Sequence, residues 1–85
     1  MEYKYRTSGV CSSEITFEIN NGIVTNTQFK GGCNGNLKAI SKLTDGWSWD
    51  QIYDKLSGNT CGFNRTSCAD QFARAVKEAH EKEIN

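Results

Sequence analysis

Hydrophobic and polar residues alternate along the first third of the chain, then recur at three- and four-residue spacing along the rest. Tyr3, Tyr5 and Thr7 alternate with Lys4 and Arg6, the period-two pattern of a half-buried strand, which stops at Ser8-Gly9. Ser13 to Ile19 alternates again, with Ile15, Phe17 and Ile19 on one side, and Ile23 to Phe29 forms a third strand after Asn20-Asn21-Gly22. A two-residue Asn21-Gly22 loop would pair Ile15 with Gln28 and Phe17 with Asn26, setting apolar groups opposite amides. A three-residue loop instead pairs Ile19 with Ile23, Phe17 with Thr25 and Ile15 with Thr27. It also uses Gly22 at the left-handed position of a bulge, and this is the expected register.

From Asn34 the period changes. Leu37, Ile40 and Leu43, with Ala39, mark a helix to about Leu43, closed by Asp45-Gly46. Ser48 followed by Gln51 has the form of a capping box, and Trp49, Ile52, Tyr53 and Leu56 give an apolar face that ends at Ser57-Gly58. A third helix is expected from about Ser67 to Lys82, with Phe72, Ala75, Val76 and Ala79 as its inward stripe. His80, among Lys77, Glu78, Glu81 and Lys82, reads as part of a solvated outer face carrying supporting ion pairs. Three strands followed by three helices, with no βαβ alternation, predict an α+β fold. Its three-stranded antiparallel sheet is followed by three helices packed on one face, in a single domain over residues 1–85.

A chain of 85 residues buries only roughly 60–65% of its unfolded surface, so the core is thin. With 36% hydrophobic residues, 24% charged residues and a mean hydropathy of -0.63, it is the kind of domain that borrows stability from disulfides or a metal. The four cysteines supply the means, and the compartment decides between the two. Met1 to Thr7 holds no apolar stretch, and no run approaches the roughly 20 residues of a membrane span. A cytoplasmic location is therefore expected, where clustered cysteines act as metal ligands or redox groups more often than as lasting disulfides. Lys plus Arg and Asp plus Glu number 10 each, with no basic tract, which argues against a nucleic-acid partner.

Cys11, Cys33, Cys61 and Cys68 all fall in turns or at helix starts, away from the strand faces and helical stripes that inert buried cysteines occupy. Thr66 or Ser67 followed by Asp70 is a helix-start signature, which puts Cys68 in the first turn. There the open N–H groups and the helix dipole favour a negative group, and thiolate is the form that binds metals and does redox chemistry. Cys33 lies in the glycine-rich turn Gly31-Gly32-Cys33-Asn34-Gly35-Asn36 before the first helix. Spacing alone is not that of a zinc ribbon, since 21 residues separate Cys11 from Cys33 and six separate Cys61 from Cys68.

The leading reading is one site of Cys11, Cys33 and Cys68, with Cys61 as fourth ligand, holding zinc or an iron-sulfur cluster. Arg65, Thr66, Ser67 and Asp70 would support its thiolates. A second reading makes Cys61 and Cys68 a redox dithiol, one attacking and the other resolving. In a third the thiols are inert and the domain is an interaction module, with Trp47 and Trp49 around Ser48 as a docking patch, although core packing accounts better for Trp49. The Gly31 to Asn36 turn suits an anion at a helix N-terminus, but it lacks the G-K-[ST] of a P-loop for nucleotide binding. There are no paired carboxylates and no Ser/His/Asp set.

T-S-C-A-D at Thr66 to Asp70 resembles the T-S-C-P-D signature that names the TSCPD domain, with Ala69 in place of the proline. Cys11, the G-G-C-N-G-N turn and Cys61-Gly62 also fall where small stand-alone members of that family have them. The family is similar to a domain appended to the C-terminus of some ribonucleotide reductases. The resemblance thus implies a role in deoxyribonucleotide synthesis, with a ribonucleotide reductase as partner and a cysteine-held zinc or iron-sulfur cluster. It does not imply a complete ribonucleoside-diphosphate reductase, because 85 residues cannot form that enzyme's barrel, radical site and nucleotide sites. More distantly, Cys11, Cys33 and Cys68 resemble the cysteines of the NifU/IscU iron-sulfur scaffolds, with Ser13 where those have an aspartate.

Overall fold

The computed structural model describes residues 1–7, 12–31, 34–58 and 68–84. They form β1 (Glu2–Arg6), β2 (Ser12–Asn20), β3 (Ile23–Gly31), α1 (Asn34–Thr44), α2 (Trp49–Leu56) and α3 (Cys68–Ile84). The strands make one antiparallel sheet in the order β1-β2-β3, followed by the three helices, which is the expected α+β arrangement. No helix among the described residues is long and apolar enough to cross a membrane.

The core follows the periodicities. Ile15, Phe17 and Ile19 of β2 and Val24 of β3 meet Ile52 of α2 and the stripe Phe72, Ala75, Val76 and Ala79 of α3. Phe72 is the pivot, with its ring edge-on to Phe17 at 5.8 Å and to Phe29 at 5.5 Å between centroids. The alanines below it let α3 lie close against the sheet. Trp47 and Trp49 both pack against this core, which removes the exposed docking patch considered for them.

The strand register differs from the expected one, and the reason is a bulge. Asn20 pairs with Ile23 and Ile19 with Val24, so the loop is the two-residue Asn21-Gly22 turn. Both residues take positive φ, 52° and 80°, as a type I′ turn requires. The conflict this register would create, apolar groups opposite amides, is relieved further along. Between Thr16 and Glu18 the pairing shifts, so that Thr16 faces Gln28 and Ile15 faces Phe29. Asn26, at φ 54°, is the extra residue. Its N–H donates to Asp45 Oδ1 at 3.1 Å and its side-chain amide to Glu18 Oε2 at 3.0 Å. The additional residue thus sits in the strand rather than in the turn.

The capping box expected at Ser48 and Gln51 does not form. Ser48 is the N-cap of α2, in extended conformation, but its side chain makes no capping bond. Its hydroxyl is engaged by the Asp50 carboxylate, which that hydrogen bond holds below its usual range.

Candidate functional site

Two ends of the sheet differ in what they hold. At the turn end, two helices clamp Gly22: its carbonyl accepts from Trp49 N of α2 at 2.7 Å, and its N–H donates to Glu83 Oε2 of α3 at 3.0 Å. The Trp49 indole stacks on the His80 ring at 4.7 Å and 16°, and His80 Nδ1 lies 3.3 Å from the same Glu83 oxygen. His80 is therefore half-buried in a packed contact, contrary to the solvated position expected from its charged neighbours. Those neighbours are also engaged: Lys77 Nζ lies 5.0 Å from the Tyr53 ring and Lys82 Nζ 5.6 Å from the Tyr3 ring. Burial and a hydrogen bond to Glu78 push the Tyr3 phenol up to about 12.

This clamp fixes the direction of the helices. α2 starts and α3 ends at the turn, so the other ends of both helices run towards the opposite end of the sheet. A 17-residue helix spans about 26 Å and a nine-residue strand about 30 Å, so α3 runs most of the length of β2. The packing agrees, because Phe72 in the first turns of α3 meets Phe29, the partner of Ile15. At that end Ser12 pairs with Gly31, and Thr7 N donates to Ser13 O at 3.2 Å. The chain therefore leaves and rejoins the described fold at one end of the sheet around all four cysteines. Thr7 and Ser12 flank the connection with Cys11, Gly31 and Asn34 that with Cys33, and Gly58 and Cys68 that with Cys61.

Of the predicted site residues, Cys68 and Asp70 lie in the first turn of α3, whereas Cys11, Cys33, Cys61, Arg65, Thr66 and Ser67 lie outside the described residues. Cys68 is half-buried and opens the helix. Asp70 does more than support a helix start. It is buried at 2% exposure; its Oδ1 accepts from Gly58 N at 2.7 Å, and its Oδ2 pairs with Arg74 at 3.1 Å. Gly58, at φ 81°, is where the chain leaves α2. One carboxylate thus fastens together both ends of the connection that carries Cys61. Nothing local marks this in the sequence, because the Gly58 amide has no side chain to announce it.

The donor chemistry fits a metal. Cysteine sulfurs are soft ligands suited to zinc or iron-sulfur, and Cys68 stands at the start of α3. Among the described residues no three His, Cys, Asp or Glu side chains gather to hold a metal.

No curated protein and no solved structure matches the chain. The TSCPD domain family model matches residues 1–80, which takes in every strand, the first two helices and most of α3, together with all four cysteines. The chain belongs to the TSCPD domain family.

Proposed function

We propose that this domain binds zinc or an iron-sulfur cluster through Cys11, Cys33, Cys61 and Cys68, and that it serves ribonucleotide reduction as an accessory to a ribonucleotide reductase. The observation that supports the metal reading is that the described residues flanking all four cysteines lie at one end of the sheet. Cys68 would ligate from the first turn of α3, and the bond from Gly58 to Asp70 would hold Cys61 on a connection with fixed ends. Bound there, zinc would cross-link the connections and add folding free energy, whereas a cluster would carry an electron. The link to ribonucleotide reduction rests on family membership.

The same Asp70 tie favours a second reading, in which Cys61 and Cys68 form a redox dithiol that passes electrons to the reductase. The decisive experiment is elemental analysis with a visible spectrum on protein purified without oxygen or chelator, for the parent and for each single Cys→Ser variant. About one zinc per chain, or iron with sulfide, lost on Cys11→Ser as on Cys68→Ser, is the expected result. Metal-free protein with four reactive thiols, whose redox behaviour ignores Cys11→Ser, would overturn the metal reading in favour of the dithiol. Association is tested by whether the purified chain binds a ribonucleotide reductase and alters its turnover; no effect on either rejects that part.

A further inference from the structure

On the side of the molecule where α1 packs against β3 lies a cleft of about 530 Å³, lined by Thr27, Phe29, Leu37, Lys38, Ser41 and Lys42. Its volume falls within the range of small-molecule sites. A shallower hollow continues from it past Thr27, Ser41 and Lys42 to Asn26 and Asp45.

Three independent features make this more than a surface groove. The first is charge. Lys38 and Lys42 stand one turn apart on α1, both exposed, and neither has a salt bridge among the described residues. Like charges at this spacing destabilise a helix. Lys42, in the last turn, complements the helix dipole; Lys38, in mid-helix, has no such reason to be basic. The facing acid, Asp45, is occupied by the Asn26 amide.

The second feature is Thr27. It is 7% exposed, and its hydroxyl is the one buried side-chain polar atom among the described residues without a hydrogen-bond partner. A buried hydroxyl left unsatisfied is costly, and such groups are rare enough to require a reason. The bulge at Asn26 brings Thr27 to the buried side of β3, so the same device that corrects the register also creates the orphan. The third feature is apolar. Phe29 and Leu37 line the cleft beside the polar groups, which suits a flat ring better than a bare ion.

We infer that the β3–α1 cleft binds a small organic phosphate of the nucleotide type. The phosphate would lie against Lys38 and Lys42, the ring system against Phe29 and Leu37, and the sugar or ring edge would be offered to Ser41 and Thr27. Zero net charge and the absence of a basic tract favour a small ligand over a polynucleotide. The inference does not depend on the cysteines and stands or falls separately from the metal reading.

Calorimetric titration of the full chain with AMP, inorganic phosphate and adenosine tests it, using the parent protein, Lys38→Gln, Lys42→Gln, Thr27→Val and Cys68→Ser. AMP should bind at least about tenfold more tightly than either phosphate or adenosine, since only AMP fills both parts of the cleft. Each lysine replacement should weaken AMP about fivefold or more, while circular dichroism and melting temperature hold or improve because a like-charge pair is removed. Thr27→Val should raise the melting temperature and weaken AMP, a combination that a purely structural threonine would not give. Cys68→Ser should leave AMP affinity unchanged. AMP binding indifferent to both lysines, phosphate binding as tightly as AMP, or no heat with millimolar AMP would each overturn the inference.

Discussion

Three glycines at positive φ allow the turn clamp to be separated from ordinary backbone strain. Gly22, Gly46 and Gly58 take φ of 80°, 87° and 81°, so alanine at any of them meets the same left-handed penalty, about 1–2 kcal/mol. They differ in surroundings. A Cβ on Gly46 or Gly58 meets nothing within 4 Å, whereas on Gly22 it would lie 3.0 Å from Trp49 Cδ1 and 3.7 Å from His80 Nδ1. The indole has little room to retreat, being stacked on His80 at 4.7 Å and carried on a residue whose backbone N–H is tied to the Gly22 carbonyl at 2.7 Å. Overpacking of that kind adds about 1–3 kcal/mol. Gly22→Ala should therefore cost about 2–5 kcal/mol in total, against about 1–2 for Gly46→Ala. At about 4–8 °C per kcal/mol for a domain of this size, the excess is a melting temperature lower by roughly 5–20 °C. Thermal and urea unfolding of the two variants measure it, and in a Trp49→Ala background the excess should vanish. Equal destabilisation of Gly22→Ala and Gly46→Ala would refute the clamp.

Further outcomes follow from the same contacts. Asp70→Ala leaves the Gly58 N–H without its 2.7 Å acceptor and should cost about 2–3 kcal/mol, while Arg74→Ala, at a side chain 55% exposed, should stay within about 0.5; urea midpoints decide. Phe72→Ala empties the centre of the aromatic cluster and should cost about 3–5 kcal/mol, a large part of the roughly 4–13 kcal/mol available to a chain this long, so loss of the near-ultraviolet circular dichroism signal at room temperature is expected. The Tyr3 phenol, raised to about 12, favours the neutral form in the folded state. Its contribution to stability is thus full below the ordinary value of 10 and is lost as pH rises from 10 towards 12. A phenolate absorbance titration should show a late-titrating component that Tyr3→Phe removes.

How much of the candidate site could be read in advance follows from what kind of signal each residue carries. Cys68 was legible because a hydroxyl, a cysteine and an acid in succession before an apolar stripe define a helix start through bonds of one turn. The acid was legible as such a residue too, but its bond to Gly58 joins two helices whose spacing no local pattern encodes. His80 misled for the complementary reason: a histidine among lysines and glutamates reads as solvated, yet the α2–α3 packing brings Trp49 over its ring. The orphaned Thr27 hydroxyl was equally hidden, since threonine in an alternating strand looks like an ordinary strand former.

By itself, the sequence determined the order and kind of the elements. Period-two alternation, helical spacing of Phe72, Ala75, Val76 and Ala79, and glycines after the first two helices act over a few residues and need no distant partner. Tertiary structure decided the register, because turn and strand faces pulled in opposite directions. Asn21-Gly22 closes best as a two-residue turn, while Ile15 needs an apolar partner. Only the sheet as a whole could satisfy both, by bulging at Asn26 and bracing that residue against Asp45 of the α1–α2 connection. It also decided which end of the sheet receives α3, since that depends on Glu83 meeting the Gly22 amide 61 residues away, a contact whose free energy exists only once the helices have packed.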